Sequence, residues 1–279
     1  MSAESSTART VRVAAVQMVS AARLDTNLAT AEALIAEAAD TGAQLIALPE
    51  YFCLMGMKDT DKVAAREPLG RGPIQEFLAA QARRHGVWLV GGTLPLEAPE
   101  ADRVLNTTLV FDPQGDRIAR YDKVHLFRFT RGVESYDEAV TIAPGGMVAT
   151  FALQPKDGPT LKVGLSICYD LRFPELYRAM GAPDLILVPA AFTATTGRAH
   201  WEVLLRARAI ENLAYVLAPA QGGRHENGRA TFGHSMLIDP WGEVIANRPD
   251  GAGVVFGDVD PKVIARSRSS LPALNHRVM

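Results

Sequence analysis

Leu161-Lys-Val-Gly-Leu-Ser-Ile167 runs straight into Cys168-Tyr-Asp-Leu-Arg172, and the reading of that junction decides the fold. The seven residues read as a buried strand, and Pro174 to Met180 suits a short helix after it. Leu185-Ile-Leu-Val188 is the next strand, closed by Pro189. His200 to Asn212 has a helical pattern, and Ala214 to Ala218 is a third strand. Strand-helix-strand-helix-strand with short links implies parallel strands joined by right-handed crossovers. Ser235 to Ile238 then enters the turn Asp239-Pro-Trp-Gly242, with Val244-Ile245 returning.

The first half repeats this order. Val11 to Gln17 is a strand. Thr26 to Asp40 is a helix with Leu28, Ala31, Ile35 and Ala38 on one face, and Gly42 sits at its stop. Gln44 to Leu48 is a strand closed by Pro49 and Glu50, Ile74 to His85 a helix, and Val87 to Val90 a strand. Thr107 to Phe111 leads through Asp112-Pro-Gln-Gly115 into Arg117 to Tyr121. Two pairs mark the duplication: Asp112-Pro-x-Gly115 with Asp239-Pro-x-Gly242, and Leu45-Ile-Ala-Leu-Pro49 with Leu185-Ile-Leu-Val-Pro189. Two such halves pack best sheet against sheet with helices outside. The expected fold class is α/β, a four-layer α-β-β-α sandwich with an internal two-fold pseudo-duplication. No Gly/Pro/Ser-rich linker separates the halves. Residues 10–279 are therefore expected to form a single domain, and the polar residues 1–9 a flexible tail.

Composition narrows the function. The 279 residues carry a formal net charge of −2, so no basic face points to nucleic acid. No apolar run reaches the roughly 18–20 residues of a membrane span. The N-terminus lacks the apolar core of a secretory signal, and two cysteines are too few for a disulfide framework, so a cytoplasmic protein is expected. The six histidines form no metal-binding motif, and no phosphate or dinucleotide loop follows a strand. Neither metal nor cofactor is expected.

In open α/β sheets, ligand sites lie beyond the carboxyl ends of strands. Glu50 and Cys168 stand at such ends, and Lys123 follows the returning strand. A thiol at a strand-to-helix turn can sit near helix N-terminal N–H groups, which favour the thiolate and can hold an oxyanion. Cys168 is the functional candidate, and Cys53 reads as a structural thiol. Read singly, Glu50 could be an exposed strand-end carboxylate and Lys123 a surface lysine.

Three segments, in order, carry a resemblance. Leu48-Pro-Glu50, Tyr121-Asp-Lys-Val-His-Leu-Phe127 and Cys168-Tyr-Asp-Leu-Arg-Phe-Pro-Glu175 are similar to motifs of the nitrilase superfamily of carbon-nitrogen hydrolases. The likeness runs over nearly the whole chain. It implies the nitrilase-type sandwich and a Glu-Lys-Cys triad: Glu50 as general base, Lys123 as cationic stabiliser, Cys168 as nucleophile. A supporting glutamate is implied in Tyr136-Asp-Glu138, where Glu138 is the candidate, with Glu134 and Asp137 nearby. The Tyr169 backbone N–H and Lys123 would hold the oxyanion. The resemblance also implies a homodimer or larger homo-oligomer, with contacts after Cys168 and along Leu271 to His276.

Cys168-Tyr-Asp-Leu-Arg172, with Ala191 to Gly197 and Ala199-His-Trp-Glu202, resembles the Nit branch, which includes deaminated glutathione amidases and omega-amidases. That likeness implies Arg172, Phe192 and Thr196 as the substrate pocket. Arg172 could grip a substrate carboxylate or could bridge to Glu175 or Asp170; Phe192 could be core. The expected reaction is Cys-dependent hydrolysis of a small carboxylate-bearing amide, deaminated glutathione or a related α-keto acid amide, through a thioester to acid and ammonia. Alternatives on the same triad are a nitrilase or an N-carbamoyl amino acid amidohydrolase; the non-enzyme alternative is a silent scaffold. One departure stands out. Arg128 follows His125-Leu-Phe127 where many Nit-branch members have Asp, adding positive charge beside the expected entrance.

Overall fold

The computed structural model describes residues 10–132 and 134–278. The tail expected over residues 1–9 lies outside them. Two sheets form the centre. The first has eight strands, and its main path runs Gly253–Val259, Val11–Gln17, Leu45–Ala47, Trp88–Val90, Val104–Phe111. Arg117–Asp122, Leu94–Glu97 and Ile142–Ala143 also pair with Val104–Phe111. The second has six strands in the order Ala149–Leu153, Leu161–Leu165, Leu185–Leu187, Tyr215–Ala218, Ser235–Ile238, Val244–Arg248. In both, three parallel strands are flanked by antiparallel ones.

Side-chain alternation explains the layering. Val11, Val13 and Ala15 share one buried cluster with Leu45 and Ala47 and with Val163, Leu165, Leu185 and Leu187 of the other sheet. That is the layer between sheets. Ala14, Val16 and Ile46 point the other way, onto Ala31, Ile35 and Ala38 of the helix Leu24–Asp40 and Leu78 and Ala82 of Pro73–His85. Strand period two sends alternate residues to opposite faces, so each strand buries both. On the second sheet, Trp201, Leu205 and Ala209 of the helix Ala194–Asn212 complete the fourth layer. The result is the four-layer α-β-β-α sandwich. Truncating an interlayer leucine such as Leu187 would cost about 2–5 kcal/mol.

The duplication is visible atom by atom. Gly115 N donates to Asp112 O at 2.9 Å, and Gly242 N to Asp239 O at 3.0 Å. Each aspartate side chain also accepts two N–H groups of its own turn. Three features differ from expectation. The helix Ala194–Asn212 begins before His200, because Thr193 caps it by accepting from Thr196 N at 3.2 Å. Gly253–Val259 returns to edge the first sheet, antiparallel to Val11–Gln17. Arg128–Arg131 and Glu134–Asp137 form a separate hairpin.

Candidate active site

Three backbone devices bring the site together. Leu45–Ala47 delivers Leu48, Pro49 and Glu50 to the end of the first sheet, where Tyr51 takes φ +57°. Gly92 allows that approach, since a Cβ there would lie 2.1 Å from Pro49 O. Leu161–Leu165 delivers Cys168, itself at φ +49°. Left-handed conformations in such residues cost on the order of 1–3 kcal/mol each and cluster at functional sites. Lys123 is the first residue past Arg117–Asp122, pinned by Lys123 N to Asn106 O at 3.0 Å and Gly145 N to Lys123 O at 2.8 Å.

The side chains meet. Lys123 Nζ lies 2.9 Å from Glu50 Oε1 and 2.9 Å from both oxygens of Glu138. Lys123 and Glu50 are almost fully buried. Asn106 Nδ2 donates to Glu50 Oε1 at 3.0 Å, and the Ala191 N–H donates to Glu50 Oε2 at 2.9 Å. Glu138 accepts from Tyr51 Oη at 2.8 Å and from Phe127 N at 2.7 Å. Glu134 and Asp137, its neighbours in sequence, point elsewhere: Glu134 accepts from Thr195 Oγ1, and Asp137 from Ala139 N.

Charge sets the protonation states. Burial works against the Lys123 ammonium, but Glu138 and Glu50 outweigh it and hold its pKa well above the ordinary lysine range. Burial would raise the Glu138 carboxyl; Lys123, Phe127 N–H and Tyr51 together lower it instead. Cys168 goes the other way from the sequence expectation. Burial, and then the Glu50 charge, push its thiol well above the usual cysteine value against the pull of Lys123. Burial withholds water from a thiolate, and the glutamates beside the sulfur oppose a further negative charge there. The turn after Cys168 is also a 3-10 turn, Cys168–Arg172, not the first turn of a long helix. Cys168 N donates to Pro189 O at 2.9 Å, which leaves Tyr169 as the next N–H beside the sulfur.

The turn is fixed by Asp170, whose buried carboxylate accepts from Tyr121 Oη at 2.7 Å and from the N–H groups of His125 and Ile167 at 3.1 and 2.9 Å. Tyr51, Asn106 and the Ala191 N–H were not expected from the sequence, and Asp170 was expected only as a possible partner of Arg172. Asn106 carried a signal: it is a buried polar residue inside the strand Val104–Phe111, which the pattern had placed from Thr107.

Cys168 opens onto a cleft of about 210 Å³ lined also by Phe127, Tyr169, Arg172, Phe192 and Thr196. The expected pocket residues are therefore gathered on the thiol. The Arg172 guanidinium stands 5.6 Å from the Tyr169 ring and 5.5 Å from the Phe192 ring, and its Nη1 lies 3.2 Å from His200 Nδ1. Asp170 is committed elsewhere, so Arg172 stays at the cleft. Arg128 is exposed, with Asp137 at 3.5 Å. Cys53 is a structural thiol: burial pushes it up to about 12, and its Sγ faces Thr93 O at 3.7 Å.

Residues 12–269 match the carbon-nitrogen hydrolase family. The chain is 42% identical over 269 residues to a deaminated glutathione amidase of Synechocystis sp. (strain PCC 6803), covering 95% of this chain and 97% of that one. It is 35% identical over 270 residues to the human omega-amidase NIT2, covering 95% and 94%. Among solved structures, Saccharomyces cerevisiae Nit3, a member of branch 10 of the nitrilase superfamily, superposes with a TM-score of 0.86 at 30% identity, covering 100% of both chains.

Proposed function

The chain belongs to the carbon-nitrogen hydrolase family, an enzyme family acting on carbon–nitrogen bonds, and on that footing we propose a thiol-dependent amidase of small carboxylate-bearing amides, deaminated glutathione or a related α-keto acid amide. The observation that carries it is a single cleft holding Cys168 and Arg172, with Glu50, Lys123 and Glu138 buried behind the sulfur.

Arg172 pairs with the substrate carboxylate and aims the amide carbonyl at Cys168 Sγ. The thiol is protonated at rest, so attack and proton transfer to Glu50 occur together; the excess charge of the cluster then stays constant. The Tyr169 N–H and the Lys123 ammonium stabilise the oxyanion. Collapse of the tetrahedral adduct breaks the C–N bond, with the Glu50 proton going to nitrogen. A primary amide releases ammonia. Deaminated glutathione, whose amides are substituted, releases an amine. Water, deprotonated by Glu50, cleaves the thioester and returns the thiol. Glu138 holds Lys123 in place.

The free thiols of Cys53 and Cys168 suit a reducing compartment, so the cytoplasm is the proposed location. Among the described residues, no helix is long and apolar enough to cross a membrane. A homodimer or larger homo-oligomer is proposed as well, supported by exposed Val203 and Ile210 on the helix Ala194–Asn212 and by exposed Trp241, next in sequence to Gly242, which packs on Ile210. Light scattering during size exclusion tests it.

The function is tested by acid formation from deaminated glutathione, α-ketoglutaramate, an N-carbamoyl amino acid and a simple nitrile. Cys168-dependent cleavage of the keto-acid amides is expected. Turnover of only the nitrile or the carbamoyl compound would overturn the substrate class and keep the site.

A further inference from the structure

Tyr136 joins the nucleophile cleft to a second one. Its ring packs 5.8 Å from Phe127, which lines the first, and carries the Arg229 guanidinium 5.0 Å away, which lines the second. Lys58, Lys62 and Arg229 line the second cleft against one acid, Asp59. Its cations outnumber its acids. Lys62 is mostly buried, and its Nζ has one long ion pair, 3.6 Å to the exposed Asp59, and a 3.4 Å contact with Thr141 Oγ1. Arg229 has no carboxylate partner among the described residues. Burying ammonium without a close carboxylate is unfavourable, and such a site is completed by a bound anion. Burial indeed pulls Lys62 below its ordinary range, a shift that an incoming carboxylate opposes.

The two clefts lie on either side of the Tyr136 ring, with Phe127 of the first 5.8 Å from it and the Arg229 guanidinium of the second 5.0 Å from it. A leaving dipeptide spans about 7 Å, a length suited to passing that ring from Cys168 toward Arg229.

We propose that the cleft of Lys58, Lys62 and Arg229 is a second carboxylate subsite, which holds the acid of the leaving amine and selects amides with a carboxylate at each end. This rests on the amidase reading above and deepens it. Two cationic ends on either side of one thiol measure the length and charge of the substrate, not only its keto-acid head.

The test compares deaminated glutathione with the same molecule bearing a C-terminal carboxamide, which is nearly isosteric and one charge less negative. The wild type is expected to show at least a tenfold lower KM for the acid-ended compound, with kcat similar for the two. Lys62→Met should shrink that preference below threefold. Arg229→Gln provides a second variant where Lys62→Met fails to fold. A wild-type preference below threefold, or a preference kept in full by a folded variant, overturns the subsite. Cleavage of α-ketoglutaramate with neither longer compound accepted overturns the subsite and leaves the amidase reading standing. No cleavage of any of the three removes both.

Discussion

The two halves share a scaffold and divide the chemistry unequally. The rung Ala15–Ala47 of the first sheet corresponds to Leu165–Leu187 of the second. Counting on from that rung, Cys168 falls at the position of Met18, and Glu50 at the position of Ala190. The offset that carries Asp112 to Asp239 carries Lys123 to Asp250. So the first half supplies the carboxylate and the cation, the second the thiol, and the related positions hold Met18, Ala190 and Asp250. The second half also contributes backbone: the Ala191 N–H donates to Glu50 Oε2 across the halves, and Pro189 O accepts from Cys168 N. Duplication built two matching rims, and each now carries what the other lacks.

The sharpest way to break that comparison is to substitute a related pair. Cys168→Ala should lower turnover by about 10⁴-fold or more with the unfolding midpoint little changed. Met18→Ala, at the matching position and fully buried, should do the reverse: activity retained per folded molecule, stability down by about 2–5 kcal/mol in urea titration. Matching phenotypes for the two would erase the division. Glu50→Gln follows, expected to cost about 10²–10⁴ in kcat through loss of the base; a rate within threefold of wild type would place the base elsewhere. Lys123→Met should damage both properties, since it strands two buried carboxylates. About 3–5 kcal/mol of stability should go, read by denaturant unfolding at neutral pH.

A smaller effect concerns pH. Glu138 is held below its ordinary 4.5, so the folded chain gives up that proton more readily than the unfolded chain. Its stabilisation is complete above about pH 4.5 and is lost as pH falls through the folded value. Glu138→Gln should flatten the acid limb of a stability profile, and an unaltered limb would mean that Lys123 does not hold this carboxylate. Smallest of all, Cys53→Ala should leave kcat within about twofold, because that thiol is fully buried and does not line the Cys168 cleft.

Much of this was legible in the sequence where local chemistry has one structural answer. Asp-Pro-x-Gly specifies its turn wherever it occurs, and Leu-Ile-x-x-Pro ends a buried strand, so the duplicated frame could be read residue by residue. The motifs and strand-end positions also singled out Glu50, Lys123 and Cys168, and the structure places Lys123 against Glu50 and Cys168 at the adjoining cleft. Features set by tertiary contact were not. Gly253–Val259 is a strand because Val11–Gln17 offers it an edge, and its pattern is weakened by exposed Phe256 and by Gly257. The helix start at Ala194 was hidden in a run of Thr and Gly that also reads as loop. The direction of the Cys168 shift could not be read either, since it depends first on burial and then on the carboxylates that share the buried space.

The excess negative charge around Cys168 bears on how the enzyme ages. Oxidants and alkylating agents attack thiolates and largely spare thiols. On the proposed mechanism this sulfur gives up its proton only as a carbonyl is presented, and it offers little to peroxide between turnovers. Burial and the neighbouring glutamates would then guard Cys168 against climbing the ladder from sulfenic to sulfonic acid.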